Sequence, residues 1–356
     1  MASGEDAPGR GAVTIRARRR PRWWSIAGAL VGLGALVWIG ALLHLDRLRT
    51  ILADARIEYL LLVPLAIAFE QLVRAWKWRQ LLYGLRQIPT LRLFGAIMAG
   101  YLANLLVPLG VSPLVRAWLV ARLDDLRMSA VLATVAVDRL IDGIVFTGFV
   151  AVVLVFAVFP DPTGDIRAGL AVGGVGSLGL FIGLLGALAY HKRQMQNLTG
   201  WTLRLIGRLP ARFAERLRSL LLAFADGIVW PRARWRRVGV VGASIGMKLV
   251  AATHFFFAGL AFGVLLDPID YLFLLVFAGF AHILAHIAHV PGGFIVGSIF
   301  ALGLLGVGEE EAVAMVATVQ LASMATVAVI GALALWRHGI ALGDLRASHV
   351  AGVCAG

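Results

Sequence analysis

Long apolar runs recur along the chain, and clusters of charge separate them. The runs fill Ser25–Leu43, Ile57–Trp76, Met128–Phe159, Ala168–Tyr190, Val238–Val264, Tyr271–His289 and Ala312–Trp336. A helix needs about 20 apolar residues to cross a bilayer core. The pattern therefore predicts an all-α polytopic integral membrane protein with about seven or eight transmembrane helices. Two segments break the rule. Leu93–Leu114 is interrupted by Asn104, Pro108, Gly110 and Pro113, and both of its flanks are basic. Broken backbone at that depth needs protein or a wet cavity around it, so a re-entrant hairpin is expected there. Val290–Gly308 opens with Pro291-Gly292-Gly293 and closes on Glu309–Glu311. With no Lys or Arg to orient it, it reads as a second hairpin or as a full span.

Composition sharpens this picture. Hydrophobic residues make up 60% of the chain and charged residues 15%, against about 45–50% and 25% in soluble domains. The 33 Lys and Arg against 20 Asp and Glu give a net charge of +13. The basic residues lie between apolar runs, as topology signals and contacts to anionic headgroups do; a nucleic-acid partner is not expected. Arg16–Arg22 precede the first run, which is longer than a cleavable signal segment, so the N-terminus is expected in the cytoplasm. Residues 1–22 read as a basic tail, 23–340 as one membrane domain and 341–356 as a C-terminal tail. Within the domain, 192–237 carries eleven Lys and Arg against Glu215 and Asp226. Its leucines recur at helical spacing, which predicts an amphipathic helix on the cytoplasmic headgroup layer. The acidic loops Pro160–Arg167 and Asp267–Asp270 read as external. Cys354 is the one cysteine. No phosphate-cradling, zinc-protease or serine-hydrolase motif is present, so neither an enzyme nor a cofactor is expected.

The chain also repeats a motif. Leu106-Val107-Pro108-Leu109-Gly110 corresponds to His289-Val290-Pro291-Gly292-Gly293, and Leu132-Ala133-Thr134-Val135 to Val316-Ala317-Thr318-Val319. Paired interrupted segments of this kind point to two related halves with a transport site between them.

Ionisable residues inside apolar runs are functional candidates by default. Asp138 and Asp142 share a helix face, and Arg139 stands three residues before Asp142, within pairing distance. Glu70 and Arg74 are four apart, and Arg74 is close enough to the run's end to snorkel. Asn104 and Arg116 flank the broken segment. His282, His286 and His289 share a face and are candidates for proton coupling, since histidine titrates near neutrality; no carboxylate or thiol accompanies them as a metal set would require.

Four elements carry a resemblance: Arg74-Ala75-Trp76-Lys77-Trp78-Arg79-Gln80-Leu81-Leu82, Asn104-Leu105-Leu106-Val107-Pro108 leading to Arg116, Ala133-Thr134-Val135-Ala136-Val137-Asp138-Arg139-Leu140-Ile141-Asp142, and Pro291-Gly292-Gly293. Their order resembles the transmembrane (flippase) region of lysylphosphatidylglycerol synthase/flippase proteins, in its stand-alone form without the cytosolic aminoacyl-transferase domain. The resemblance implies a bacterial inner-membrane protein that translocates or handles a lipid. The partners it implies are membrane lipids, anionic ones first, and a lipid-biosynthesis enzyme if the chain is a non-transporting accessory subunit. On this reading Asp138, Arg139, Asp142, Asn104, Arg116, Glu70 and Arg74 line the headgroup path. Ser112-Pro113, Ser298, and Gln320 with Ser323 stand where the family usually carries glutamates and an arginine, so the lipid itself does not carry over.

Overall fold

The structure, a computed structural model, describes residues 50–51, 53–106, 111–196, 231, 233–287 and 292–337, and only the backbone of 188–189, 191–196 and 286–287. The expected first span, most of the surface helix, and the turns holding Pro108 and Pro291 lie outside the described residues. Nine helices are described: α1 (Ile57–Leu82), α2 (Thr90–Leu106), α3 (Ser112–Leu123), α4 (Met128–Phe156), α5 (Asp165–Gln196), α6 (Arg234–Phe262), α7 (Pro268–Ile287), α8 (Gly293–Leu304) and α9 (Glu309–Arg337). Five of them, α4, α5, α6, α7 and α9, are long and apolar enough to cross a membrane. The chain is an all-helical, multi-pass membrane protein.

Helix α1 has 26 residues, ample length, yet it is inside out. Leu61, Leu65 and Phe69 are exposed, whereas Gln71, Arg74, Lys77 and Gln80 are buried. Lipid solvates the apolar face, so the polar face turns inward. Arg74 therefore does not snorkel: the helix continues to Leu82, and Arg74 and Lys77 are both buried. Arg116, expected after the broken segment, likewise lies within α3 and is buried.

Helices α3 and α8 have 12 residues each, roughly 18 Å at 1.5 Å per residue. That is short of the ~30 Å hydrocarbon core, so neither crosses alone. Each packs on its predecessor, α3 on α2 and α8 on α7, as the second arm of a hairpin. The open question over Val290–Gly308 is resolved this way. The α2–α3 contact is tight at Gly100, where a Cβ would stand 2.9 Å from the Ser112 carbonyl oxygen. Small residues at such crossings let helix backbones approach within a bilayer.

The packing divides into two apolar cores stacked along the long helices. The first takes Trp78 and Leu82 of α1, Val131 and Val135 of α4, Val240 of α6, Leu335 of α9, and the hairpin α2–α3. The second takes Val63 and Ile67 of α1, Phe149 and Val153 of α4, Phe255 of α6, Met315 and Val319 of α9, and the hairpin α7–α8. Helix α1 runs from the second core to the first, and α6 from the first to the second. Helix α4 runs from the first core to the second, and α9 back again. Each half is thus a long helix, a hairpin and a second long helix, with the directions reversed between halves. The hairpins belong to opposite ends, which is the arrangement of an inverted repeat. Of the motif matches found in the sequence, Leu132–Val135 lies four residues into α4 and Val316–Val319 seven residues into α9.

Candidate functional site

Between the two cores lies a layer of charge near mid-length of the long helices. Spacing creates it on α1, where Glu70, Arg74 and Lys77 recur at four and three residues and so share a face. Asp138 and Asp142 of α4 face them for the same reason. The Lys77 ammonium lies 2.7 Å from Oδ1 of Asp138 and 2.5 Å from Oδ1 of Asp142. It also donates to the Ser244 hydroxyl on α6 at 3.3 Å, and Ser244 donates to Asp142 at 3.0 Å. Arg74 spreads its fork over three acceptors: Gln71 (3.0 Å), Asp142 Oδ2 (3.2 Å) and Glu70 (3.0 Å). Arg116 of α3 stands 3.4 Å from Asp138 Oδ2 and lies over the Trp78 ring at 5.0 Å. The Trp78 indole is itself fixed by donating to Thr134 Oγ1 at 3.0 Å.

These contacts form one chain of alternating sign: Glu70, Arg74, Asp142, Lys77, Asp138, Arg116. It joins α1, α3 and α4, with Ser244 tying in α6. Lys77, Asp138 and Arg116 have no solvent exposure. Charges buried this way persist only when paired and hydrogen-bonded. The chain is incomplete at one end, because Nε and Nη1 of Arg116 have no partner. Asn104 Oδ1 is buried and unpartnered too.

Arg139 behaves differently. The expected pair with Asp142 does not form, because Arg74 and Lys77 take that carboxylate from across the helix interface. Arg139 is exposed, and Arg139, Arg74 and Arg116 all lie within electrostatic reach of the Tyr101 hydroxyl of α2.

On the other side of Glu70 a cavity of about 500 Å³ opens between α1, α6, α7, α8 and α9. Glu70, Gln71, Lys248, His254, His282, Gln320 and Ser323 supply its polar lining. His254 Nε2 lies 3.8 Å from the Glu70 carboxylate. Of the three histidines considered for proton coupling, His282 lines this cavity, while the His286 side chain and His289 lie outside the described residues. Among the described residues no three His, Cys, Asp or Glu side chains are arranged to hold a metal.

Of the residues the sequence singles out, Glu70, Arg74, Arg116, Asp138 and Asp142 stand in one ion-pair network; Arg139 is outside it, and Asn104 lies at the end of α2, where none of the contacts described above involves it. The sequence reading missed Lys77, Ser244, Tyr101 and Trp78. The signal for Lys77 was present in the Glu70, Arg74, Lys77 spacing, which continues one amphipathic face past the assumed end of the run.

A family model described as Lysylphosphatidylglycerol synthase TM region matches residues 25–331. No curated protein and no solved structure matches the chain.

Proposed function

We propose a function from one fact the match provides: the chain belongs to the lysylphosphatidylglycerol synthase TM region family. A membrane lipid-related role follows from that membership. The finer reading is lipid translocation, not driven by ATP and without catalysis, in which an anionic headgroup passes the mid-layer of charge. The candidate path is lined by Arg139, Arg116, Arg74 and Tyr101, with Asp138, Asp142 and Lys77 holding the cations in place.

The observation that carries this reading is the position of Arg139. It stands 11 residues into α4, counting from Met128 to Arg139, or roughly 16 Å along the helix axis. That is well inside a hydrocarbon core of ~30 Å. An arginine at a helix centre costs about 2.5–3.5 kcal/mol to insert, and this one is exposed without a carboxylate partner. Water or a lipid headgroup, and not acyl chains, is the environment that sustains it. Guanidinium forks match phosphate oxygens in bidentate geometry, so three of them around one tyrosine suit a phosphate-bearing headgroup.

The orientation belongs to the same proposal. Arg86, Arg92, Arg122, Arg127, Arg234, Arg236, Arg237 and Arg337 cluster at the end of the bundle with α2–α3. Asp161, Asp165, Asp267, Asp270 and Glu309–Glu311 cluster at the other end, against Arg56 and Arg167. By the positive-inside rule the basic end is cytoplasmic, in a bacterial inner membrane. The α7–α8 hairpin then enters from outside, and α9 ends in the cytoplasm.

The experiment is translocation of fluorescent phosphatidylglycerol in proteoliposomes, read by quencher accessibility. Protein-dependent movement supports the reading. Tight lipid binding with no movement would assign the chain to the accessory role instead.

A further inference from the structure

The cavity beyond Glu70 holds three features that the translocation reading does not use. First, Lys248 of α6 lines it near mid-length of a 29-residue helix. Among the described residues no carboxylate stands within ion-pair distance of its ammonium, and the near contact is the Phe146 ring at 5.3 Å. Second, α8 begins in the cavity wall. Gly292, in a left-handed conformation at φ 87°, precedes it and no side chain caps it; Gly292, Gly293, Phe294 and Ile295 all line the cavity. The first-turn N–H groups of a helix have no intrahelical acceptor, and the helix dipole makes that end positive. Third, His254 is 8% exposed, and its Nε2 has no hydrogen-bond partner and faces the same space.

We propose that this cavity is a binding site for a phosphate-type oxyanion, held by Lys248 and the α8 N-terminus, with His254 donating to it when protonated. A half-helix N-terminus inside a bilayer is a ready anion site, and Lys248 supplies the neutralising charge. The Ala66 backbone lies beside the His254 ring, and a neutral ring protonated on Nδ1 presents a lone pair at Nε2, which repels an anion. Protonation turns it into a donor. Binding therefore takes up a proton and strengthens as pH falls through the histidine range. The ionisable groups facing the site are Glu70 from α1, Lys248 and His254 from α6, and His282 from α7; α9 contributes Gln320 and Ser323, and α8 only backbone and apolar side chains. Glu70 opposes an anion: Arg74 holds its Oε1 at 3.0 Å, and its Oε2 lies 3.8 Å from His254 Nε2 and competes for that donor.

This site goes beyond the translocation reading, and its test measures binding alone. The full chain is placed in phosphatidylcholine nanodiscs and titrated calorimetrically with inorganic phosphate at about pH 6 and about pH 8. Saturable binding is expected, at least tenfold tighter at the lower pH. Lys248→Met weakens it at least tenfold, and Lys248→Arg retains it. Ser323→Phe, which fills the cavity from α9 without touching a charge, abolishes it and keeps the test alive if Lys248→Met does not fold. A second arm adds phosphatidylglycerol: loss of phosphate binding assigns the site to a lipid headgroup, unchanged binding to a free anion. Absence of phosphate binding, unchanged affinity in folded Lys248→Met or Ser323→Phe, or pH-independent binding each overturns the proposal. None of these outcomes bears on Arg139, which does not line this cavity.

Discussion

Lys77 and Asp138 meet at 2.7 Å with neither side chain exposed to solvent. They stand 61 positions apart in the sequence, and their neighbours Ala75, Trp78, Val137 and Ile141 belong to the first apolar core. Lys77 also donates to Asp142 and Ser244. A buried cation shared in this way holds α1, α4 and α6 in register.

Removing that cation should therefore cost stability before it affects anything else. Lys77→Met leaves two buried carboxylates with one cation fewer between them, a loss of about 3–5 kcal/mol for a broken buried pair. Lys77→Met combined with Asp138→Asn should recover a substantial part. Thermal unfolding in detergent checks both; equal stability of Lys77→Met and the wild type would show that the pair carries no structural load.

Gly100 sets how closely α3 approaches α2. In Gly100→Val the added Cβ meets the Ser112 carbonyl at 2.9 Å and Arg116 Cβ at 3.3 Å. Overpacking of this sort costs about 1–3 kcal/mol, and the displacement moves Arg116 away from Asp138 and Trp78. Lower thermal stability together with slower lipid translocation is the expected outcome, measured on the same preparation.

The inverted arrangement makes a topological prediction. In a Cys354→Ser background, single cysteines replacing Leu91 or Asp125 should react with an impermeant maleimide only from the cytoplasmic side. A cysteine replacing Glu309 should react only from the external side. Labelling of Leu91 and Asp125 from opposite faces would remove the hairpin, and labelling of Glu309 from the cytoplasm would remove the inversion.

Several of these features are visible in the residues themselves. The Pro/Gly interruptions at Pro108 and Pro291 mark both hairpin turns, and the four-residue spacings of Asp138 with Asp142 and Glu70 with Arg74 mark shared faces. What local spacing does not contain is the partner across the bundle. The three-residue offset of Arg139 and Asp142 predicts an ion pair, yet α1 delivers Arg74 and Lys77 to that carboxylate from 68 and 65 positions away. Lys77 is hard to see for a related reason: a lysine after an apolar run has the same appearance whether it marks a cytoplasmic loop or ends a buried polar face. The orientation of the second hairpin is hidden too, because Val290–Gly308 contains no basic residue. It emerges only from the assignment of α7–α8 to the second core.

The central claim is that the mid-layer guanidinium groups meet a lipid headgroup, and Arg139 tests it most directly because it is exposed and makes no ion pair. Arg139→Lys keeps the charge and loses the fork, so the account predicts wild-type thermal stability in detergent and at least tenfold slower phosphatidylglycerol translocation in proteoliposomes. Arg139→Gln should be equally stable and slower still. Wild-type translocation in both variants at unchanged stability would contradict the account.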